Sequence, residues 1–197
     1  PGDTYVDFQQ RISIYIQHMF GTCPKIERIH HQLAHISAAF YGSGFESASC
    51  VSLDATGDGA SGMIAHASLD EGIKTFEIRP TNESIGFFYT LMTYYLGFGD
   101  GDEYKVMGLA PYGKPSVDLS KLIKPTEMGW DFDWSFVRDN PPVRSPFEPL
   151  YAEKIEKVIG QPRRLPGAEM TSFYEDVAHS VQSMTERCIL SLMKYVK

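Results

Sequence analysis

The chain reads as an α/β layered domain: an antiparallel three-strand meander with flanking helices. Three observations lead there. Three β-type runs, residues 47–54, 61–67 and 74–78, follow one another closely. Their connections, Gly57-Asp58-Gly59 and Asp70-Glu71-Gly72, hold residues that tolerate positive φ and so close tight turns. Helical periodicity stands before and after the set, and a small sheet needs helices to cover its apolar surface.

Taken in order, the first helix spans residues 5–19 on the apolar positions Val6, Ile12, Tyr15, Ile16 and Met19, and Gly21 and Pro24 close it. Residues 25–29 form a short strand that delivers His30, His31 and His35. A second helix, 32–41, stops at Gly42-Ser43-Gly44. After the meander, Ile85, Phe88, Tyr89, Met92 and Tyr95 mark a helix over 84–96, with Gly97 as its stop. The glycine- and acid-rich loop 99–103 leads into residues 104–113, where Met107, Leu109 and Tyr112 read as core and loop anchors.

From 114 to 167 prolines punctuate aromatic pieces such as Trp130-Asp131-Phe132-Asp133-Trp134. This stretch reads as an insertion over the core, carrying one short ribbon and a helix at 150–159. It borders a ligand site or serves as a packing lid, with the pair Arg163-Arg164 near its end. The domain organisation is then 1–113 with 171–197, interrupted by 114–170. The last helix has the clearest pattern, Phe173, Val177, Val181, Met184, Cys188, Leu192 and Tyr195, and that stripe is core. Ser172-x-x-Glu175 is a capping box.

Composition narrows the function. The chain has 197 residues, is 43% hydrophobic and carries a formal charge of −7, from 18 basic against 25 acidic residues. That charge, without any Lys/Arg run, argues against a nucleic-acid surface and for small-molecule or protein partners. Cys23, Cys50 and Cys188 form no CxxC and are odd in number, so neither a disulfide framework nor a thiolate zinc site is expected, and a reducing cytoplasm is. No apolar run approaches the ~20 residues that span a bilayer, so no membrane partner is expected. Both ends read as cuts through a larger protein, and the apolar surface so exposed points to homo-oligomers, as by dimerisation, or to rearranged packing.

The chemistry gathers between His30 and Gly59. His31 and His35 stand four apart on a helix, the spacing that lets two imidazoles share a divalent metal, and Asp54 at a strand end can supply an oxygen ligand. Two imidazoles and a carboxylate suit zinc or ferrous iron. The same His pair also reads as a satisfied surface or core pair. His30, one position out of phase, is a structural or supporting group. Gly57-Asp58-Gly59 is either an ordinary hairpin turn or a place where backbone N–H groups approach phosphate. Lys105 either neutralises phosphate or other anionic oxygens of a ligand, or lies with its stem on Tyr104 and its ammonium in water.

Three blocks in order, His30-His31-Gln32-Leu33-Ala34-His35-Ile36-Ser37-Ala38-Ala39-Phe40-Tyr41, Leu53-Asp54-Ala55-Thr56-Gly57-Asp58-Gly59, and Asp102-Glu103-Tyr104-Lys105-Val106-Met107-Gly108-Leu109-Ala110-Pro111-Tyr112-Gly113, resemble the carbamoyltransferases of the NodU/CmcH type. The resemblance covers roughly residues 25–115. It implies a partial actin-like ATPase (RNase H-like) fold related to the tRNA threonylcarbamoyl-transfer proteins. It also implies an O-carbamoyltransferase in which a YrdC-like domain makes carbamoyl-adenylate from ATP and carbamoyl phosphate, and a metal-bearing domain passes the carbamoyl group to an acceptor hydroxyl. On that resemblance His31, His35 and Asp54 are metal ligands, Gly57 and Gly59 lie near the nucleotide, and Asp58 orients a water or the acceptor hydroxyl or only closes the turn. A second carboxylate ligand, half of the nucleotide cleft and the YrdC-like domain have no counterpart in this chain, so it would be about half of the transfer domain and inactive alone. The competing readings are a metal-dependent hydrolase and a non-catalytic binding module.

Overall fold

The computed structural model describes residues 3–136 and 154–197, which divide between two compact units, Pro1–His30 and His31–Lys197. Most of the expected insertion helix survives as a short element from residue 154, while its expected start at 150–153 lies outside the described residues.

In the first unit α1 covers Asp3–Phe20 and ends at Gly21, whose φ of 73° lets its N–H reach the Gln17 carbonyl at 2.9 Å. Tyr15 and Met19, expected on an apolar face, are 63% and 55% exposed. The strand expected at 25–29 does not form. Those residues join no ladder among the described residues, and a strand exists only where a second one receives its backbone hydrogen bonds. Arg28 instead donates to Gln9 Oε1 at 2.7 Å.

The second unit has its meander as expected. β1 (Ser47–Gly57), β2 (Ala60–Ser68) and β3 (Gly72–Pro80) form one antiparallel sheet in chain order. Asp58 and Gly59, with φ of 51° and 78°, make the two-residue turn between Gly57 and Ala60, the mirror-image type whose twist matches paired strands. β2 is central and buried along most of its length, whereas β1, expected to be buried, is mostly half-buried.

Helices cover both faces of this sheet. On one side lies α2 (His31–Ser43), which turns Gln32, Ile36 and Phe40 inward and packs Ile36 with Met63, Ala65 and Cys50. On the other side lie α3 (Ile85–Tyr95) and α6 (Ser172–Val196), around a core of Ile64, Phe88, Leu91, Met92, Tyr95, Val177, Val181, Cys188 and Leu192. Strand alternation sends Val51 and Leu53 to that second core, and therefore Cys50, Ser52 and Asp54 toward α2.

Between them α4 covers Glu103–Leu109 and continues as a 3-10 turn, Ala110–Tyr112. Its buried residues are Val106 and Ala110. Met107 and Tyr112, expected as anchors, are exposed, since only one face of a two-turn helix meets the core. Within the proline-rich stretch β4 (Ile123–Thr126) pairs with β5 (Gly129–Phe132), and α5 covers Lys154–Ile159. Leu119, Leu122, Ile123, Trp130, Phe132, Phe136 and Ile155 join the same core as α3 and α6. The capping box at Ser172 and Glu175 does not form. Thr171 is the cap residue, with no side-chain hydrogen bond, and the Glu175 N–H reaches its backbone carbonyl at 3.2 Å.

Candidate metal centre

β1 and β2 pair regularly up to Leu53 and Gly62, then resume at Gly57 and Ala60, so β1 carries two extra residues over this stretch. Such a bulge re-aims side chains, and here the irregular residues begin with Asp54. Two contacts from the start of α3 hold the bend. Ser84, fully buried, donates its hydroxyl to the Asp54 carbonyl at 3.1 Å and accepts the Phe87 N–H at 3.0 Å. Gly86 lies so close to the backbone of Ala55 that no Cβ would fit between them. An isolated glycine inside a helical pattern is the sequence signal for such an approach.

α2 is set against the same bend. Buried Gln32 accepts the Ser52 hydroxyl at 2.7 Å and donates to the Ala60 carbonyl at 3.3 Å, which fixes the first turn of the helix over β1 and β2. The next positions around the helix, His31 and His35, then stand at the rim of the contact with their rings 4.6 Å apart.

His31, His35 and Asp54 converge, as expected. His31 Nε2 is 2.7 Å from Asp54 Oδ2, His35 Nε2 is 3.0 Å from His31 Nε2, and His35 Nε2 is 3.5 Å from Asp54 Oδ2. The other carboxylate oxygen, Oδ1, accepts the Ala55 N–H at 2.6 Å, which turns Oδ2 toward the imidazoles. Burial works to raise the Asp54 pKa, but hydrogen bonds from His31 and the Ala55 amide, and the His31 charge, outweigh it and hold the group below its usual range. Asp54 is therefore an anion at neutral pH. Protons satisfy this triad poorly: a proton on His31 Nε2 must serve both Asp54 and the facing His35 nitrogen, and a second one on His35 would confront it.

A divalent cation would meet all three donors at once. Ligands about 2.1 Å from a tetrahedral ion lie about 3.4 Å from one another, against separations of 2.7, 3.0 and 3.5 Å here, and the donors are the neutral imidazole and carboxylate that zinc or iron accept. The three side chains remain 42%, 54% and 32% exposed for His31, His35 and Asp54, which leaves the outer side open. Among the described residues this is the one such group of His, Cys, Asp and Glu side chains, and His30 is not part of it.

The other expected residues take different places. Gly57 is flush with the His31 ring, and a Cβ there would overlap ring atoms. Asp58 Oδ2 accepts the His31 backbone N–H at 2.7 Å. Gly59, with its φ of 78°, has open space around it. Lys105 pairs with Asp102 Oδ1 at 2.7 Å, over the rings of Phe98 and Tyr104. What sequence reasoning missed is the support: Gln32, Ser52, Ser84 and the ring-side role of Gly57.

The fold and this centre define a mixed α/β domain with a candidate two-histidine, one-carboxylate metal site. The family model described as "Carbamoyltransferase N-terminus" matches residues 10–197, and the chain belongs to that family. It is similar to nodulation protein NolNO of Sinorhizobium fredii, 32% identical over 171 residues, which cover 87% of this chain and 23% of that protein. An uncharacterised protein of Synechocystis is 34% identical over 173 residues, 86% of this chain and 27% of the relative. Nodulation protein NolO of Bradyrhizobium diazoefficiens is 45% identical over 86 residues, 44% of this chain and 15% of the relative. The chain thus spans about a quarter or less of the length of these relatives. No helix among the described residues is long and apolar enough to cross a membrane.

Proposed function

We propose that the chain is part of the transfer domain of an ATP- and carbamoyl-phosphate-dependent O-carbamoyltransferase with an actin-like fold, and that His31, His35 and Asp54 hold a divalent metal, iron or zinc. The observation that supports it best is the convergence of Nε2, Nε2 and Oδ2 within 4.8 Å on a family member. The mixed α/β layering, with an antiparallel meander in chain order, is compatible with the actin-like reading.

In the reaction proposed, an acceptor hydroxyl oxygen attacks the carbamoyl carbon of carbamoyl-adenylate. The bond from that carbon to the phosphate oxygen breaks, AMP leaves, and the hydroxyl proton passes to a base. A bound divalent ion supplies Lewis-acid stabilisation to the developing oxyanion and the departing phosphate. The chain's own residues hold it: Asp54 by its charge and two imidazoles at one helical turn, with the bulge, Ser84 and Ala55 aiming the carboxylate. Gly59 keeps its backbone accessible for a phosphate, and Lys105 stands in reserve as a cation on the start of α4. The rest of the nucleotide site and the YrdC-like domain belong to the remainder of the polypeptide in this reading.

The test is elemental analysis of the anaerobically purified chain beside its His35→Ala variant, with ATP-dependent carbamoylation of a hydroxyl acceptor by the complete protein. Near-stoichiometric metal lost in the variant, together with lost transfer, is the expected result. Transfer that survives His35→Ala unchanged would overturn the assignment.

A further inference from the structure

Resting on the metal reading above, we infer that Asp58 is a positioning residue for the metal pair: its carboxylate anchors the first residue of α2 and so aims His31 at Asp54. It is not one of the three converging donors.

The argument begins at the helix end. The first N–H groups of a helix have no partner within it, and the positive end of the helix dipole collects there. α2 has no acidic residue in its first turn. The missing acceptor comes instead from the β1–β2 turn, where Asp58 Oδ2 takes the His31 N–H at 2.7 Å. A turn of this type does not need a carboxylate, since glycine or asparagine would close it equally well. The helix end does use an acceptor oxygen there. Asp58 is also the one non-glycine residue with positive φ among those described, at 51°, a conformation that L side chains other than Asn and Asp rarely adopt.

The same turn touches His31 twice. Gly57 receives the ring, and Asp58 receives the backbone N–H of the residue that carries it. With Nε2 on Asp54, His31 is fixed at three points by the last four residues of β1 and the turn that follows. His35 follows one turn later on the same axis, so a shift of the helix start moves both imidazoles together.

The experiment uses the 197-residue chain with Asp58→Gly and Asp58→Asn. Glycine adopts the positive φ without strain, so it removes the carboxylate and leaves the turn. Asparagine keeps an acceptor oxygen for the N–H. Cobalt(II) titration followed by d–d absorption is read beside the amide proton shift of His31 in the metal-free protein. Expected are a His31 amide shifted downfield in the parent chain and in Asp58→Asn, and cobalt affinities for these two within about threefold of one another. Asp58→Gly should bind at least about tenfold more weakly, with an altered band, as for other groups that orient metal ligands. Equal affinity and spectrum in Asp58→Gly overturns the inference and leaves the metal site standing. A folded Asp58→Asn that loses binding tenfold overturns it too, since charge or direct contact would then matter rather than the N–H acceptor. No cobalt binding by the parent chain, with the His31 amide still shifted, overturns the metal reading itself and this inference with it.

Discussion

The imidazole of His31 rests on the backbone of Gly57: a Cβ at that glycine would occupy the space of the ring's Cγ and Cδ2 atoms. Gly57 therefore acts as a seat for the His31 ring. Gly57→Ala should swing His31 away from Asp54 and weaken metal binding by about tenfold or more, the range for groups that orient ligands. Circular dichroism should change little, because Gly57 ends β1 and lies outside both apolar cores. Chelator competition with zinc or cobalt checks this; unchanged affinity would show that the ring position does not depend on the contact.

That seat also marks where the sequence stops being readable. The His31–His35 spacing and the placement of Asp54 on the next strand are local patterns, and the structure brings all three together. The turn at Asp58 and Gly59 is equally local, and so is the apolar stripe of α6 down to Leu192. What failed depended on neighbours distant in sequence. Residues 25–29 have strand-like composition but no second strand beside them among the described residues, and Ser172 sits one position inside the helix rather than at its cap. Val106 rather than Met107 faces the core because α6 fixes the phase of a helix too short to show a period. Gly57 reads as a phosphate-approach glycine in the motif, and only the folded bend shows that an imidazole fills the space beside it.

Arg79 joins the main sheet to the β4–β5 ribbon. Its side chain is nearly buried, 3.0 Å from Glu77 and 3.7 Å from Glu83; it donates to the Met128 carbonyl at 2.5 Å and stacks over Trp130 at 5.0 Å. Arg79→Met keeps the apolar stem but leaves a carbonyl and two carboxylates without their cation. Both glutamates retain some water, so the expected cost is about 2 kcal/mol rather than the larger loss of a fully buried pair. Urea unfolding should show a lower midpoint with an unchanged slope. An unchanged midpoint would mean that the apolar contacts of Trp130 alone hold the ribbon.

Asp176 on α6 ties down the chain after α4, accepting the Ser116 hydroxyl at 2.6 Å and the Lys114 N–H at 2.7 Å. The Ser116 bond first, then the Lys114 amide, lower its pKa against the small opposing effect of burial. A carboxyl lowered on folding stabilises the native state above its unfolded pKa of about 3.9, and that contribution is lost as pH falls through the folded value. Asp176→Asn should therefore melt below the parent chain at pH 7, with the gap closing as pH drops from about 4 toward 2. Thermal melts across that range check the sign; a gap that persists unchanged at the acid end would show that the charge is not what holds Lys114 and Ser116.

Cys188 lies in the middle of the α6 stripe with no exposed surface, and burial pushes its thiol up to about 12, against a small lowering by Arg187. Cys23 and Cys50 are half-buried, and burial raises the Cys50 thiol as well. Thiolate is the reactive form, so Cys188 is doubly protected, by access and by protonation. In the folded chain a disulfide reagent at pH 8 should modify Cys23 and Cys50 and spare Cys188, which reacts only after denaturant is added. Raising the pH toward 9.5 should speed Cys50 and leave Cys188 silent until α6 comes away from α3. The lag of Cys188 then reports opening of the core between α3 and α6, and a third thiol reacting at the rate of the other two in the native chain would mean that α6 is not packed as described.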